Sequence, residues 1–326
     1  MKYVMGIDGG GSKTTAIVGD ERGNIVGAYT GTGSGHQTVG IEETKRVIKE
    51  VMDKACAAAS IAPAQILHIY AGLAGADFEV DFILLEKSLG PIFDKVPFTI
   101  VNDSWIALYA SAVDGWGAVS INGTGSNAAA IDKERKKTTI LRALHYELGG
   151  YGGGGHVMIE GVHAACRDDE NTGEKTLLTK YIPSELGFGS MEEFVLARYK
   201  DEISFEDMNK VTKLVCTLAH EGDKVCQDIL IKAGKEMGKL LAGCICKVGM
   251  QNENVPVVLA GSMYNKVKTK LLIDSLTLSL RRRVPDFTLI VLKDPPVFGA
   301  YFESLRKAGV IVDQTTFDNA RKTYIY

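Results

Sequence analysis

The residues best suited to chemistry lie in two glycine-rich turns. The first turn, 6-GIDGGGSKTTA-16, sets Asp8 before three glycines, a serine and a lysine. Glycine leaves backbone N–H groups uncovered, so such a turn can bind an anion, although it lacks the G-x-x-x-x-G-K-[ST] order of a P-loop. Because a carboxylate repels phosphate, we expect Asp8 to hold Mg²⁺, which links carboxylates to phosphate oxygens.

The second turn repeats the first. Aligned at a constant offset, 7-IDGGGSKTTAI-17 and 121-INGTGSNAAAI-131 are identical or closely similar at seven of eleven positions, which favours duplication over chance similarity. Two such turns facing each other would hold a polyphosphate from both sides. The alternative is a pair of tight hairpins in which Asp8 caps its own turn. The side chains that would add hydroxyl donors and one cation are Ser12, Lys13, Thr14, Thr124 and Ser126.

A third candidate for chemistry is Asp103 in 100-IVNDSWIAL-108. It is predicted to lie at the carboxyl end of a buried strand, directly before a helix, and ligands of open α/β sheets bind at such strand ends. A carboxylate there can accept the proton of a hydroxyl group that attacks a γ-phosphate. Aspartate is also a favoured helix N-cap, so the residues alone leave both roles open.

Three further turns could approach a ligand. The small residues of 71-AGLAGAD-77 would let a ligand come close to the backbone, although close packing of strand on helix is the simpler interpretation. His36, in 33-GSGHQTVG-40, could face a ligand or cap the helix that follows. The turn after the strand in 257-VVLAGSMYN-265 could admit the flat base of a nucleotide, or only pack a helix on a sheet.

Alternating strands and helices must position these turns. Three short strands are predicted first, and the turn 20-DERGN-24 joins the second and third as an antiparallel hairpin. Helices and strands then alternate, which indicates an α/β fold with mixed sheets in two similar lobes. We expect the lobes to be residues 1–115 and 116–326, with the terminal helix, about 303–326, packing back on the first lobe. The predicted strands are 3–8, 14–19, 25–30, 66–72, 98–103, 255–262 and 287–292, and the predicted helices lie near 40–59, 77–89, 104–113, within 156–248 and near 265–281.

Composition excludes several classes of partner. The 326 residues are 45% apolar and 24% charged, as in globular proteins, and a formal net charge of −3 gives no footprint for nucleic acid. No apolar segment approaches the roughly 20 residues of a membrane span, and the N-terminus lacks the design of a signal peptide. The six cysteines have no C-x-x-C spacing. We therefore expect a cytoplasmic protein with reduced cysteines and neither nucleic-acid nor membrane partners.

Taken in order, the motifs resemble those of the BadF/BadG/BcrA/BcrD-type ATPase family and, within it, the N-acetylglucosamine kinase-like branch. The resemblance runs from 6-GIDGGGSKTTA-16 to 294-DPPVFGA-300. It implies two ribonuclease-H-like lobes of the actin-like ATPase superfamily around a central nucleotide cleft, and commonly a homodimer. It also implies ATP and Mg²⁺ as cofactors, and phosphorylation of a hydroxyl on a small-molecule sugar such as N-acetylglucosamine or glucosamine.

The resemblance assigns roles to individual residues. Asp8 would be the magnesium-associated aspartate, and Asp103 the base that takes the proton from the sugar hydroxyl. The implied ATP-binding residues are Gly10, Gly11, Ser12, Lys13, Thr14, Gly123, Thr124, Gly125, Ser126, Gly261 and Ser262. The implied sugar-binding residues are His36, Gly75, Asp77, Asp103, Gly150 and Tyr151.

The chain departs from the family pattern at two positions. Amino-sugar kinases usually have asparagine where this chain has Gly35, and an acid where it has Gly150. Glu147 or His145 would be the nearest replacements for the missing contact. Two alternative functions follow. One is an ATP-driven activator of 2-hydroxyacyl-CoA dehydratase or benzoyl-CoA reductase systems, which needs cysteines for an iron–sulfur cluster. The other is a non-catalytic ATP-binding sensor.

Overall fold

Two units make up the chain in a computed structural model that describes residues 2–142 and 146–325. The first unit is Met1–Val119 together with Leu292–Tyr326, and the second is Ser120–Val291. The chain therefore leaves the first unit, builds the second, and returns to the first. Where one terminal helix was predicted over about 303–326, two are present, Val297–Lys307 and Gln314–Thr323.

The first unit is built on a five-stranded sheet with the order β3-β2-β1-β4-β5. Strand β1 pairs antiparallel with β2 and parallel with β4, and β5 continues the parallel side. This mixed pattern agrees with the predicted hairpin followed by strand–helix alternation. The strands are β1 (Tyr3–Gly9), β2 (Lys13–Asp20), β3 (Ile25–Thr32), β4 (Ile66–Leu73) and β5 (Phe98–Asn102), and the helices are α1 (His36–Val39), α2 (Ile41–Ala58), α3 (Glu79–Phe93) and α4 (Asp103–Tyr109), with a 3₁₀ turn at Pro63–Gln65.

Helices cover both faces of this sheet, which explains why β1 and β2 are buried almost throughout. Met5 and Ile7 point into a core shared with α2 and α3, whereas Gly6 lies on the opposite face because successive residues of a strand alternate. A side chain at Gly6 would collide with the backbone of Tyr301, in the helix Val297–Lys307. A side chain at Gly299, in the same helix, would likewise collide with α4. The helix Val297–Lys307 therefore supports both β1 and α4.

The second unit repeats this plan. Its sheet has the order β10-β9-β6-β7-β8, so its five strands, counted along the chain, occupy the same places as β1 to β5. The duplication seen in the two glycine turns thus extends to the whole sheet. The strands are β6 (Gly117–Asn122), β7 (Ser126–Ile131), β8 (Thr138–Ile140), β9 (Val255–Ala260) and β10 (Phe287–Val291).

Helices of the second unit differ from the predictions in two places. The helix after the second glycine turn begins at Gly153, within the glycine run, rather than beyond it, because its first residues bind the turn's carbonyl groups. The helix predicted near 265–281 is two helices separated by a break. The helices are α5 (Gly153–Asp169), α6 (Leu178–Glu185), α7 (Met191–Tyr199), α8 (Phe205–Met208), α9 (Lys210–Glu221), α10 (Lys224–Lys247), α11 (Ser262–Asn265) and α12 (Leu271–Arg281), with a 3₁₀ turn at Tyr146–Leu148, and the first unit ends with α13 (Val297–Lys307) and α14 (Gln314–Thr323).

Within residues 2–142 and 146–325, no helix is both long enough and apolar enough to cross a bilayer.

One polar group in the first unit makes its stability depend on pH. His68, on β4, is buried between Ser304 of α13 and Thr99 of β5, and each ring nitrogen lies 3.2 Å from a hydroxyl oxygen. Burial, aided by the positive charge of Lys307, lowers the pKa of His68 to about 4. An unfolded histidine has a pKa near about 6.5, so between these values the unfolded chain binds the additional proton.

We therefore predict that the contribution of His68 to the free energy of unfolding is complete above pH 6.5 and is lost as the pH falls towards 4. The loss is at most about 3 kcal/mol. Urea unfolding of the wild type and His68→Gln at pH 7 and pH 5 tests this. Both tryptophans, Trp105 and Trp116, lie in the first unit, so their fluorescence reports its unfolding. The exposed control, His220→Gln, should lose as much stability between pH 7 and pH 5 as the wild type does. If the free energy of unfolding of His68→Gln falls as steeply as in these two proteins, the prediction is wrong.

Candidate functional site

The first glycine turn is an exposed loop whose base is held by backbone hydrogen bonds. The Gly10 N–H donates to the Lys13 carbonyl at 3.0 Å, and the Ser34 N–H donates to the Gly10 carbonyl at 3.0 Å. Residues 11–13 are exposed. Thr14 is fully buried, and its hydroxyl donates to Ser34 Oγ at 2.8 Å, so its side chain anchors the loop to the segment after β3.

Three carboxylates gather at the edge of the first sheet where β1, β4 and β5 end. Burial first, and then the charge of Asp103, raise the pKa of Asp8 to about 7, while Lys13 lowers it. Burial and the charge of Asp77 raise the pKa of Asp103 to about 6. Burial and Asp81 raise the pKa of Asp77 as well. The sequence separates these acids widely, and the parallel strands bring them together.

This edge has donors suited to magnesium. Mg²⁺ prefers oxygen ligands and is commonly held by one or two carboxylates together with phosphates and water. Asp8 offers such an oxygen beside a second acid, in a place where burial first, and then the charge of Asp103, raise its pKa. Within the described residues, no three or more His, Cys, Asp or Glu side chains are grouped to hold a metal by themselves. The residues present therefore fit a magnesium ion shared with phosphate.

Asp103 is not the N-cap of α4. The N-cap is Asn102, whose Oδ1 accepts the Ser104 N–H at 2.9 Å, and Asp103 is the first residue of the helix. The capping alternative is therefore wrong. The amide of Asn102 also donates to Asp77 Oδ1 at 2.8 Å, so one side chain ties α4 to the turn after β4.

The turn after β4 meets the short helix α1. Gln37 Nε2 donates to the Gly75 carbonyl at 3.2 Å, and His36 Nε2 lies 3.2 Å from Asp81 Oδ1. His36, Gly75 and Asp77 are thus linked in the first unit through Gln37, Asp81 and Asn102, and Asn102 directly precedes Asp103. Gln37, Asp81 and Asn102 belong to this network and were not singled out from the sequence, since nothing local in the chain marks their partners. The network forms a polar surface beside the glycine turn.

The second glycine turn rests on the start of α5. The N–H groups of Gly154 and Gly155 donate to the carbonyls of Gly123 and Thr124 at 2.7 and 2.9 Å. Thr124 and Gly125 are exposed. Ser126 Oγ donates to the Tyr151 carbonyl at 2.6 Å, which fastens the run before α5 to the end of the turn.

A cavity of about 510 Å³ opens beside this turn, inside the second unit. Its walls come from the turn, from α9 and from the segment beginning at α11. Gly261 precedes α11, and a side chain there would collide with the backbone of Asn122. The wall from α9 was missed because an amphipathic helix does not reveal in its sequence what its polar face lines. The residues that line it include Gly123, Thr124, Thr212, Lys213, Ser262 and Lys266.

The run that contains Gly150 carries an aromatic pair instead of an acid. The rings of Tyr151 and His156 lie 4.0 Å apart between centroids. Gly150 itself is half-buried in the segment before α5. Of the two proposed replacements for the acid, His145 lies outside the described residues, and the side chain of Glu147 is not among those described.

The two sheets define the class: each unit is a five-stranded mixed sheet flanked by helices, a fold shared with solved sugar kinases such as a ROK family glucokinase. The protein belongs to the BadF/BadG/BcrA/BcrD ATPase family, whose model matches residues 5–300. The predicted fold class and family are confirmed, and the predicted enzyme class, an ATP-dependent carbohydrate kinase, agrees with both.

Two curated relatives span nearly the whole chain. The N-acetylmuramic acid/N-acetylglucosamine kinase of Clostridium acetobutylicum is 28% identical over 300 residues, which cover 92% of this chain and 97% of the relative. The N-acetyl-D-glucosamine kinase of Dictyostelium discoideum is 24% identical over 310 residues, which cover 91% of this chain and 95% of the relative.

Solved structures share the fold. A proposed N-acetylglucosamine kinase from Chromobacterium violaceum has a TM-score of 0.70 at 19% identity, covering 94% of this chain and 99% of the other. A ROK family glucokinase from Streptomyces griseus has a TM-score of 0.56 at 16% identity, covering 98% and 99%.

Two neighbouring glycines allow a matched test of how the second turn is supported. Gly153 has a φ of +79°, and an ideal Cβ would lie 2.6 Å from the Thr124 carbonyl oxygen, whereas at Gly155 the same oxygen would be 3.4 Å away. We predict that Gly153→Ala destabilises the protein by about 2–4 kcal/mol, from left-handed strain and overpacking.

Gly155→Ala, in contrast, should leave stability unchanged or raise it, because alanine is the better helix former. Thermal unfolding followed by circular dichroism compares the two. Equal melting temperatures for both variants would show that the close contact with the turn is not what Gly153 provides.

Proposed function

We propose that the protein transfers the γ-phosphate of ATP to a hydroxyl of an amino sugar such as N-acetylglucosamine or glucosamine. The observation that carries the proposal is the place of Asp103. It starts α4 at the carboxyl edge of the sheet, next to Asp77 and close to the exposed glycine turn. The two curated relatives act on N-acetylglucosamine by name, which supports this class of acceptor.

Asp103 would act as the general base. Burial and the charge of Asp77 raise its pKa to about 6, which leaves the carboxylate mostly ionised at neutral pH yet more basic than an ordinary aspartate. A base whose pKa lies near the working pH accepts a proton most effectively. Asn102 caps the helix in its place, so the Asp103 carboxylate remains available for the sugar hydroxyl.

The two glycine turns would hold the phosphates. In the first turn, Gly10, Gly11, Ser12 and Lys13 offer backbone N–H groups, a hydroxyl and a cation, and Thr14 anchors the loop. In the second turn, Gly123, Thr124, Gly125 and Ser126 play the same part. Asp8 would hold Mg²⁺, which, when bound, neutralises charge on the transferred phosphate. Catalysis would then come mainly from positioning and charge stabilisation.

The cavity of the second unit would hold the nucleoside of ATP. Its volume of about 510 Å³ lies within the range of small-molecule sites. It opens beside Gly123 and Thr124, so a nucleotide seated there would present its phosphates to the second turn. Ser262 and Lys266 line one side, and Thr212 lines the other and donates to the Gly154 carbonyl at 2.7 Å.

The remaining acceptor contacts would come from His36, Gly75, Asp77, Gly150 and Tyr151. Gly35 and Gly150 stand where amino-sugar kinases usually have polar side chains, so this chain would hold its acceptor with fewer such contacts at those positions. An ATP-consumption screen over hexoses, hexosamines, N-acetylhexosamines and N-acetylmuramic acid tests the acceptor class. ATP consumption that no sugar stimulates would contradict the proposal.

We also propose that the protein is a cytoplasmic homodimer. The free state of all six cysteines suits a reducing compartment. Size-exclusion chromatography with light scattering measures the assembly, and a monomer at micromolar concentration would contradict this part.

For the base, we predict that Asp103→Asn binds ATP as the wild type does but loses about 10²–10⁴-fold in kcat, the usual contribution of general-base catalysis. Calorimetric ATP titration and coupled kinetics measure the two effects. Asp94→Asn, at an exposed acid after α3, is the matched control. Wild-type turnover in Asp103→Asn would remove Asp103 from the chemical step.

For the metal, we predict that Asp8→Asn raises the Mg²⁺ concentration needed for half-maximal activity by about 10- to 100-fold. The substitution should fold, because the second turn carries asparagine at the equivalent position, Asn122. Asp53→Asn, on the exposed face of α2, is the control. A magnesium titration that is identical in wild type and Asp8→Asn would show that Asp8 does not contribute to the metal site.

A further inference from the structure

A buried histidine–carboxylate pair lies in the network after β4. His36 Nε2 is 3.2 Å from Asp81 Oδ1, and the two side chains are only 6% and 13% exposed. The other oxygen, Oδ2, accepts the backbone N–H of Phe78 at 2.9 Å and that of Asp77 at 3.3 Å. Both carboxylate oxygens are therefore engaged, and Asp81 joins the start of α3 to the ring of His36.

The chemistry of Asp81 determines where the imidazole carries its proton. Burial raises the pKa of Asp81, but hydrogen bonds from the Phe78 backbone and the His36 ring outweigh it and bring the pKa below the ordinary value. An ionised carboxylate can only accept hydrogen bonds, so the proton between the two groups belongs to Nε2 of His36. A neutral imidazole has a single N–H, which leaves Nδ1 with a lone pair and no proton.

Nδ1 of His36 has no partner. It is buried, and no hydrogen bond reaches it from any part of the chain that the structure describes. An unsatisfied buried polar atom is destabilising. Gly75 borders the same edge of the ring, since an ideal Cβ on Gly75 would lie 3.2 Å from the neighbouring atom, Cε1. The ring of His36 therefore lies against the turn that contains Gly75.

We propose that Asp81 is a positioning residue that holds His36 as a hydrogen-bond acceptor, and that Nδ1 of His36 receives a hydrogen bond donated by the acceptor sugar. This rests on the proposed function and deepens it, because it specifies a donor group on the substrate. An N-acetylated amino sugar has two kinds of donor, its acetamido N–H and its hydroxyl groups. The sugar would satisfy a buried atom that the protein leaves unsatisfied.

The first test is spectroscopic and does not depend on turnover. Nitrogen NMR of protein with labelled histidine, at pH 8, distinguishes a protonated from an unprotonated ring nitrogen, and His36→Phe assigns the signal among the six histidines. We expect the proton on Nε2 and a shift of the Nδ1 signal when N-acetylglucosamine is added. A proton on Nδ1 in the free wild-type protein would overturn the proposal.

The second test compares two substitutions in the first turn of α3. Asp81→Asn places beside Nε2 an amide that can donate as well as accept, so it no longer selects one tautomer of His36. Glu79→Gln removes the same charge from an exposed neighbour that does not touch His36. We expect Asp81→Asn to raise KM for the sugar about tenfold, the effect of losing one hydrogen bond. The KM of Asp81→Asn for ATP should equal the KM of Glu79→Gln for ATP. An unchanged sugar KM, or an equal rise in KM for ATP, would contradict the proposal.

His36→Phe guards against a folding defect in Asp81→Asn. It replaces the imidazole with an apolar ring and leaves the bonds from Asp81 to the backbone of α3 in place, so it should reproduce the rise in sugar KM, and a cooperative thermal transition shows that the variant folds. A wild-type sugar KM in His36→Phe would refute the role of Nδ1.

Glucose and N-acetylglucosamine identify the donor. If the acetamido N–H donates, the penalty of Asp81→Asn disappears with glucose, and if a hydroxyl donates, it persists with both sugars; either result supports the proposal. If no sugar stimulates ATP consumption by the wild type, the proposed function fails, and with it the sugar as donor. The NMR measurement would still decide whether Asp81 sets the tautomer.

Discussion

The parallel pairing of β1, β4 and β5 is the constraint on which the candidate site depends. Strands that run the same way end at the same edge of a sheet, so the segments after them must meet there. This places Asp8, the turn holding Asp77, and Asp103 together although the sequence separates them widely. The cost is electrostatic, because burial first, and then a neighbouring carboxylate, raise the pKa of Asp8 and that of Asp103. Acidic groups that hold their protons more tightly than usual are the physical result.

Local pattern predicted much of this arrangement. Strand alternation and the repeated glycine turn were enough to predict two similar mixed sheets, and the common strand order confirms them. The position of Asp103 after a buried strand was also visible. Its role at the helix start was not, because Asn102 and Asp103 are both good capping residues, and only the hydrogen bond from Ser104 distinguishes them.

Contacts between distant segments could not be predicted in this way. His36 and Asp81 are 45 positions apart, and neither stands in a motif that would reveal the other. The α9 wall of the cavity could not be predicted either, since helical periodicity shows which face is buried but not what the exposed face adjoins. The break between α11 and α12 depends on packing as well. The sequence therefore indicates the elements and their chemistry more reliably than the partners of individual side chains.

The return of the chain to the first unit sets an order of events during synthesis. A ribosome releases the N-terminal strands and the whole of the second unit before α13 exists. Until then Gly6 has no partner, β1 lacks a cover on one face, and α4, which carries Asp103, lacks its support. Domains usually fold as units while the chain elongates. Here the second unit is complete first, and the first unit, which carries Asp8 and Asp103, waits for the last 35 residues, Leu292–Tyr326.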